Sequence, residues 1–137
     1  MKKIFFLLLA GITLAIHAEF KAIDASTLQK MQKEGVPVID IRTPGEWKER
    51  GVIKGAHRIM FFDARGRPHT EAWLGKLSRF IPDKKSPFII YCAHANRTKA
   101  VGKWLSEKMG YEKVYELNGG IEYGWRDKGM PVERIEN

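Results

Sequence analysis

The stretch Phe88-Ile89-Ile90-Tyr91-Cys92-Ala93-His94-Ala95-Asn96-Arg97-Thr98 decides the fold of this chain. Its first four residues are apolar or aromatic, which is typical of a strand buried on both faces of a parallel sheet. Residues 97–109 then place apolar side chains on one helical face, and Gly110 ends the helix. A buried strand that passes through a short loop into a helix is typical of α/β proteins.

Short apolar strands alternate with helical patterns on both sides of this stretch. Besides 88–91, we predict strands at 20–23, 36–41, 56–61 and 114–117. The other predicted helices are one capped by Ser26 and ended by Gly35, a short one at 46–50 after a turn at 43–45, and two at 71–80 and 121–128. Five strands separated by helices predict an α/β fold, an open and mostly parallel five-stranded sheet flanked by helices.

Length and composition exclude several classes of protein. A chain of 137 residues fits one domain with a substantial core. Its single cysteine excludes an internal disulfide framework, a four-cysteine zinc module and a two-cysteine redox couple. With 29% charged and 11% aromatic residues, the composition is that of a folded protein rather than a disordered one.

The first eighteen residues have the three parts of a secretory signal. Lys2 and Lys3 precede an apolar run at 4–16, and Ala18 offers a small residue at the cut. The run is shorter than the roughly 20 residues that span a bilayer. We therefore expect a signal peptide at 1–18, a mature domain at 19–137 in the periplasm of a bacterium, and no stable membrane insertion after cleavage. An uncleaved anchor is the alternative, and a lipoprotein is excluded because no cysteine stands at the cut.

The net charge of the chain says little about its binding partners. Removal of residues 1–18 takes away two lysines and lowers the formal net charge from +8 to +6. The remaining basic residues occur singly among acidic ones, so we expect no nucleic-acid partner. The surface is either an ordinary solvated one or a mild positive field that draws small anions towards a site.

Cys92 occupies the position where open α/β sheets bind ligands, at the carboxyl end of a strand. The small side chains of Ala93 and Ala95 allow the backbone N–H groups to curl around an anion, and the following helix adds partial positive charge. The same field favours a thiolate, which is the nucleophilic form of cysteine. The sequence predicts Cys92 as a nucleophile, and the predicted substrate-binding residues around it are Ala93, His94, Ala95, Asn96 and Thr98.

Arg97 and Lys99 are unusual in this position. A cation in the first turn of a helix opposes the macrodipole. We expect a thiolate together with an anionic substrate to offset that cost at Arg97; the alternative is that Arg97 reaches solvent.

Four segments in order now resemble one family. Cys92-x4-Arg97-Thr98 resembles the active-site loop of the rhodanese sulfurtransferases. Residues 38–47 are similar to the family's Asp-x-Arg-x3-Glu-aromatic signature, and 51–56 to its Gly-His-Ile-x-Gly-Ala. The Gly-Gly at 119–120, followed by the segment 125–132, resembles its closing motif, so the resemblance covers about residues 20–133.

Two departures from the family pattern stand outside the cysteine loop. Val52 replaces the usual histidine, and one extra residue separates Gly120 from Trp125. The segment 57–69 has no clear family pattern and is a candidate for shaping the pocket entrance.

The resemblance implies a persulfide mechanism without a cofactor or metal. Cys92 would take the outer sulfur of a small anionic donor, thiosulfate or polysulfide, and pass it to cyanide, a thiol or a protein acceptor. Arg97 would be the second catalytic residue. Asp40 and Arg42 could have an acid/base role, but the resemblance and their place at a strand end imply structural support through ion pairs that fix the loop. The loop from Cys92 to Arg97 has the length that accompanies sulfur transfer, whereas related phosphatases and arsenate reductases carry one residue more.

Several alternatives stay open at this point. One alternative is that Cys92 is an inert core cysteine. Likewise, His94 could be an ordinary loop histidine that faces water. A metal site of Cys92 and His94 would need further ligands from His57 or His69, at no known spacing. The alternative to an enzyme is a sulfane-sulfur carrier with little turnover. Phosphatase or arsenate reductase activity is a third alternative, which the loop length disfavours.

Overall fold

A computed structural model describes Gly11 and residues 18–136 of the chain. The predicted signal segment at 1–18 therefore lies outside the described residues, apart from Gly11 and Ala18, and its cleavage stays a prediction. Within the part that is described, no helix has the length and apolar character needed to cross a membrane.

Five parallel strands form one sheet, which confirms the predicted α/β fold. They are β1 (Glu19–Ile23), β2 (Val38–Asp40), β3 (His57–Arg58), β4 (Phe88–Tyr91) and β5 (Lys113–Leu117). Their order across the sheet is β1-β5-β4-β2-β3, and each neighbouring pair is parallel. The sequence predicted a mostly parallel sheet, and the described sheet is parallel throughout. β4, which leads to Cys92, lies at its centre.

Helices cover both faces of the sheet. They are α1 (Ala25–Lys33), α2 (Pro44–Arg50), α3 (Thr70–Leu77), α4 (Asn96–Glu107) and α5 (Gly120–Gly124), followed by a 3-10 turn at Arg126–Lys128. One buried cluster contains residues of α3 and α4, including Trp73 and Leu105. The other contains residues of α1 and α5, including Leu28 and Ile121.

The position of β4 between the two buried clusters explains why its sequence is apolar throughout. Phe88 and Ile90 belong to the first cluster, whereas Ile89 and Tyr91 belong to the second. Since the side chains of a strand alternate between its faces, a strand covered on both sides must be apolar at every position. β4 therefore ends as a rigid, buried element, and Cys92 follows at its end.

Two helices begin earlier than the sequence analysis placed them. Asp24, not Ser26, caps α1, because its Oδ1 accepts the Thr27 amide at 2.8 Å. The predicted turn at 43–45 is instead the start of α2. Thr43 and Glu46 form a capping box with Pro44 in the first turn, and a proline there loses no helical hydrogen bond.

Other elements are shorter than predicted. β3 pairs with β2 over two residues, and the chain then follows β2 less regularly through the Ile59 and Phe61 amides. α3 ends at Leu77, short of the predicted end at 80, and the predicted helix at 121–128 is divided between α5 and the 3-10 turn.

Candidate active site

Cys92 follows β4 directly and is buried, with 1% of its surface exposed. The loop after it turns sharply at Ala95, whose φ of 66° lies in the left-handed region and which precedes α4. Among the described residues, Ala95 is the one non-glycine residue with a positive φ. Such a conformation costs an alanine about 1 kcal/mol or more, and strain of this kind concentrates at functional sites.

The start of α5 supports the loop from a second side. The Ile121 amide donates to the Cys92 carbonyl at 2.9 Å, and the Glu122 amide to the Ala93 carbonyl at 3.0 Å. Gly120 permits this approach, because its φ is +68° and a Cβ there would collide with the Ala93 carbonyl. The Gly-Gly at 119–120 thus lets α5 hold the backbone on either side of the nucleophile.

Thr98 lies against the thiol. Its Oγ1 is 3.7 Å from the Cys92 Sγ and donates a hydrogen bond to Glu116 Oε2 at 2.6 Å. Both Thr98 and Glu116 are buried. The sequence analysis assigned Thr98 to substrate binding, but its hydroxyl is occupied inside the protein. Thr98 is therefore placed to hold the sulfur rather than to line the open mouth of the site.

Arg97 forms a two-pronged ion pair with Glu46. Its Nη1 and Nη2 donate to the two carboxylate oxygens at 2.7 and 2.8 Å. The hydrogen bond and the charge of Glu46 raise the pKa of Arg97, and Cys92 contributes in the same direction. Burial opposes ionisation of Glu46, but the hydrogen bonds and charge of Arg97, with the bonds from Thr43, outweigh it, so its pKa is lowered.

These contacts add two carboxylates to the expectation about cations at the start of α4. Besides Cys92, carboxylates of the chain itself offset the cost of placing cations there: Glu46 faces Arg97, and Glu116 accepts from Lys99 Nζ at 2.7 Å. The sequence analysis included Glu46 in the family signature at 38–47 without assigning it a role, and it did not single out Glu116. Glu46 left two signals, that signature and the Thr43-x-x-Glu46 capping box, whereas Glu116 left none.

Asp40 and Arg42 form a fully buried ion pair at the end of β2. Arg42 Nε and Nη2 donate to Asp40 at 3.1 and 2.8 Å, and Nη2 also donates to the Gly51 carbonyl at 2.7 Å. Burial disfavours the charged guanidinium, yet the bonds and charge of Asp40 outweigh it and raise the pKa of Arg42. The pair ties the end of β2 to the end of α2, the helix that carries Glu46.

An open cleft of about 710 Å³ lies beside the loop rather than over the thiol. Asn96, Arg97 and Glu46 line it, and Phe62, Asp63 and Ala64 form another part of its wall. The segment 57–69, for which the sequence offered no clear family pattern, thus supplies part of this wall.

The remaining histidines lie in different places. His94 is exposed on the loop, with its ring 4.7 Å from the ring of Tyr123, which is itself 59% exposed. His57 stacks on Phe80, and His69 bonds Asp63 at 3.0 Å.

The parallel sheet with a cysteine loop at the end of its central strand defines a class of α/β proteins. The profile of the family described as "Rhodanese-like domain" matches residues 24–128. The chain therefore belongs to the rhodanese-like family, a family of sulfurtransferases.

Individual relatives agree with this assignment. The chain is 44% identical over 96 residues to thiosulfate sulfurtransferase GlpE of Tolumonas auensis, over 70% of this chain and 77% of the relative. It is 31% identical over 111 residues to thiosulfate sulfurtransferase GlpE of Ectopseudomonas mendocina, over 80% and 87%. Among solved structures, Rv0390 from M. tuberculosis matches its fold with a TM-score of 0.67, at 19% identity, over 86% of this chain and 99% of that one.

Proposed function

We propose that this protein transfers sulfane sulfur through a persulfide on Cys92. The observation that carries the proposal is the position of Cys92: a buried thiol at the end of the central strand, in a loop closed by Ala95 and leading into α4. The positive end of a helix favours an anionic nucleophile and an anionic substrate at the same point. The names of the two GlpE relatives favour thiosulfate as donor.

The reaction needs no oxidant and no cofactor. The Cys92 thiolate attacks the outer sulfur of thiosulfate, an S–S bond forms to Cys92, and the bond to the leaving sulfite breaks. A thiolate or cyanide then attacks the outer sulfur of the persulfide, and the Cys92 thiolate leaves. Because Cys92 is buried, only a narrow end such as a terminal sulfur or a cyanide carbon fits beside it.

Replacing Cys92 with Ser tests the nucleophile. We expect thiocyanate formation from thiosulfate and cyanide to fall by about a thousandfold or more, because an alcohol is a far weaker nucleophile than a thiolate. Mass spectrometry of the native chain after thiosulfate treatment should detect the added mass of one sulfur on the peptide that contains Cys92. Unchanged turnover in Cys92→Ser would contradict the proposal.

Burial of Cys92 favours a second function, that of a sulfane-sulfur carrier. A persulfide at a thiol that is 1% exposed would be sheltered from small reductants and released to a partner that opens the loop. Stable persulfide on Cys92, slow transfer to cyanide and fast transfer to a protein thiol would identify a carrier. Fast turnover with cyanide identifies an enzyme.

We also propose that the protein is exported to the periplasm, on the pattern of residues 1–18. The intact mass of the protein recovered from a periplasmic extract tests this. A mature chain that begins at Glu19 is the expected product. Recovery of the uncut chain with the membranes would indicate an anchor instead.

A further inference from the structure

We propose that Glu116 is a positioning residue for Cys92 and acts through the hydroxyl of Thr98. The inference rests on the proposed function, since it concerns the thiol assigned there as the nucleophile. Glu116 lies on β5 and is 2% exposed, yet its carboxylate bonds two consecutive residues of α4. A buried carboxylate is costly unless it is paired, so these two bonds fix where Glu116 lies.

The Thr98 hydroxyl has a single proton, and this limits how Glu116 can influence Cys92. A threonine hydroxyl has one proton to donate, and a carboxylate can only accept. At 2.6 Å from Glu116 Oε2, the Thr98 hydroxyl uses its one proton to donate a hydrogen bond to the carboxylate. Its oxygen therefore faces the Cys92 Sγ, 3.7 Å away, as an acceptor. An acceptor there stabilises a thiol S–H and offers no hydrogen bond to a thiolate.

We therefore expect the contact with Thr98 to favour the S–H form of Cys92 over the thiolate. For the Thr98 hydroxyl to bond the thiolate it must leave Glu116, whose other oxygen stays bonded to Lys99, so the thiolate and Glu116 compete for one donor. One hydroxyl is thus shared between two acceptors.

Other charged groups lie near the contact between Thr98 and Cys92. Their effect on Cys92 must be distinguished from that of Glu116. Lys99, Lys103 and Glu107 of α4 line the cavity of about 380 Å³ that also borders Glu116. Arg97, paired with Glu46, is the charged group that contributes to the field at Cys92.

Glu116→Gln reverses the direction of one hydrogen bond without changing the size of the side chain. Lys99 is a donor, so it holds the amide oxygen of the glutamine, and the amide NH2 then faces Thr98. Thr98 must accept from that group and is free to donate its own proton to the sulfur. The thiolate gains a hydrogen bond that the native chain withholds.

The experiment measures the rate of iodoacetamide alkylation of Cys92 against pH, on the full chain. We expect Glu116→Gln to lower the midpoint by about one pH unit. Glu107→Gln, which removes an exposed carboxylate from the same cavity, should leave the midpoint unchanged. An unchanged or higher midpoint in Glu116→Gln overturns the proposal.

Loss of a negative charge would by itself also favour the thiolate, so a double-mutant cycle with Thr98→Val decides between the two causes. If Glu116 acts through the hydroxyl, Glu116→Gln has no further effect in the Thr98→Val background. An equal shift in both backgrounds means that the charge acts through space, and the proposal fails.

A second cycle uses Lys99→Met for the case that Thr98→Val does not fold, because Lys99 is itself exposed and its replacement leaves the Thr98–Glu116 hydrogen bond in place. Without Lys99 the glutamine can turn its oxygen towards Thr98, so the shift caused by Glu116→Gln should shrink. A through-space charge predicts an equal or larger shift, which would overturn the proposal.

Alkylation does not require sulfur transfer. If Cys92→Ser retained full activity, the proposed function would fail while these pH profiles could still be measured. If the pH profiles failed, Cys92 could still carry the persulfide.

Discussion

The guanidinium of Arg97 has more donors than its carboxylate partner uses. Five N–H groups are available, and Glu46 takes two of them at 2.7 and 2.8 Å. The ion pair therefore fixes the orientation of Arg97 at the edge of the cysteine loop and leaves donors for an anionic sulfur compound. In the proposed function, Glu46 would position Arg97, and the remaining N–H groups of Arg97 would bind the anionic sulfur donor.

Arg97→Ala should mainly weaken thiosulfate binding. A hydrogen bond to a charged group contributes about 1.5–3 kcal/mol, so we expect KM for thiosulfate to rise about 10- to 100-fold with a smaller change in kcat. Steady-state kinetics at varied thiosulfate checks this, with the exposed Lys103→Ala on the same helix as control. An unaltered KM would remove Arg97 from the anion site.

At this scale the sequence analysis succeeded for local contacts. It placed Cys92 at the end of a buried strand and expected ion pairs at Asp40 and Arg42, because these features lie within short stretches of the chain; the structure pairs Asp40 with Arg42. It missed Glu46 and Glu116 as partners of α4. They lie 51 and 18 positions from Arg97 and Thr98, and no local pattern encodes a pairing across that distance.

The helix α5 matters through its first residues rather than its length. Its N-terminal amides bind the Cys92 and Ala93 carbonyls, and Gly120 makes that contact possible. This arrangement explains why a five-residue helix sits behind the active-site loop. It also predicts that a change at Gly120 affects stability and activity together.

Gly120→Ala should destabilise the protein by roughly 2 kcal/mol or more, because alanine is strained at positive φ and its Cβ meets backbone. Urea unfolding measures this, and sulfur transfer should fall as well. Gly75→Ala is the matched control: Gly75 lies in α3 with open space around it, and alanine there should stabilise the protein by about 1 kcal/mol. Equal stability of Gly120→Ala and the native chain would contradict this role of α5.

Element boundaries were the weaker part of the sequence analysis. The start of α2 was encoded by Thr43-Pro44-Gly45-Glu46, in which the capping box competes with the turn that Pro-Gly usually forms. β3 was overestimated, since an apolar run does not reveal how many residues pair with a short neighbour. Only β2, with three residues, was available to it.

Across the whole molecule, contacts in the folded chain shift the pKa of several titratable groups. Contacts in the folded chain lower the pKa of five carboxyl groups: Asp24, Glu46, Asp63, Asp83 and Glu122. A lowered carboxyl pKa contributes stability above its unfolded value of about 4, and that contribution is lost as the pH falls through the folded value. Burial lowers the pKa of His57, so its protonation below the ordinary 6.5 opposes folding in the same direction.

We therefore expect the urea midpoint to be constant from neutral pH to about 6.5, to fall slightly below that and to fall steeply below about 4. Equilibrium unfolding at several pH values checks this. His57→Gln should remove the slight loss that begins below about 6.5. A midpoint that stays constant down to pH 3 would mean that the ion pairs and hydrogen bonds of these carboxyl groups contribute nothing to stability.

The edge strand β1 has a consequence for how the chain folds. β1 is the first strand in the sequence and pairs with β5, the last, with Glu19 opposite Lys113. β1 cannot find its place until residues 113–117 have been synthesised, and contacts this distant in sequence slow folding. The sheet is therefore completed late. If the protein is exported as we propose, late closure of the sheet would keep the chain unfolded for longer during its passage across the membrane.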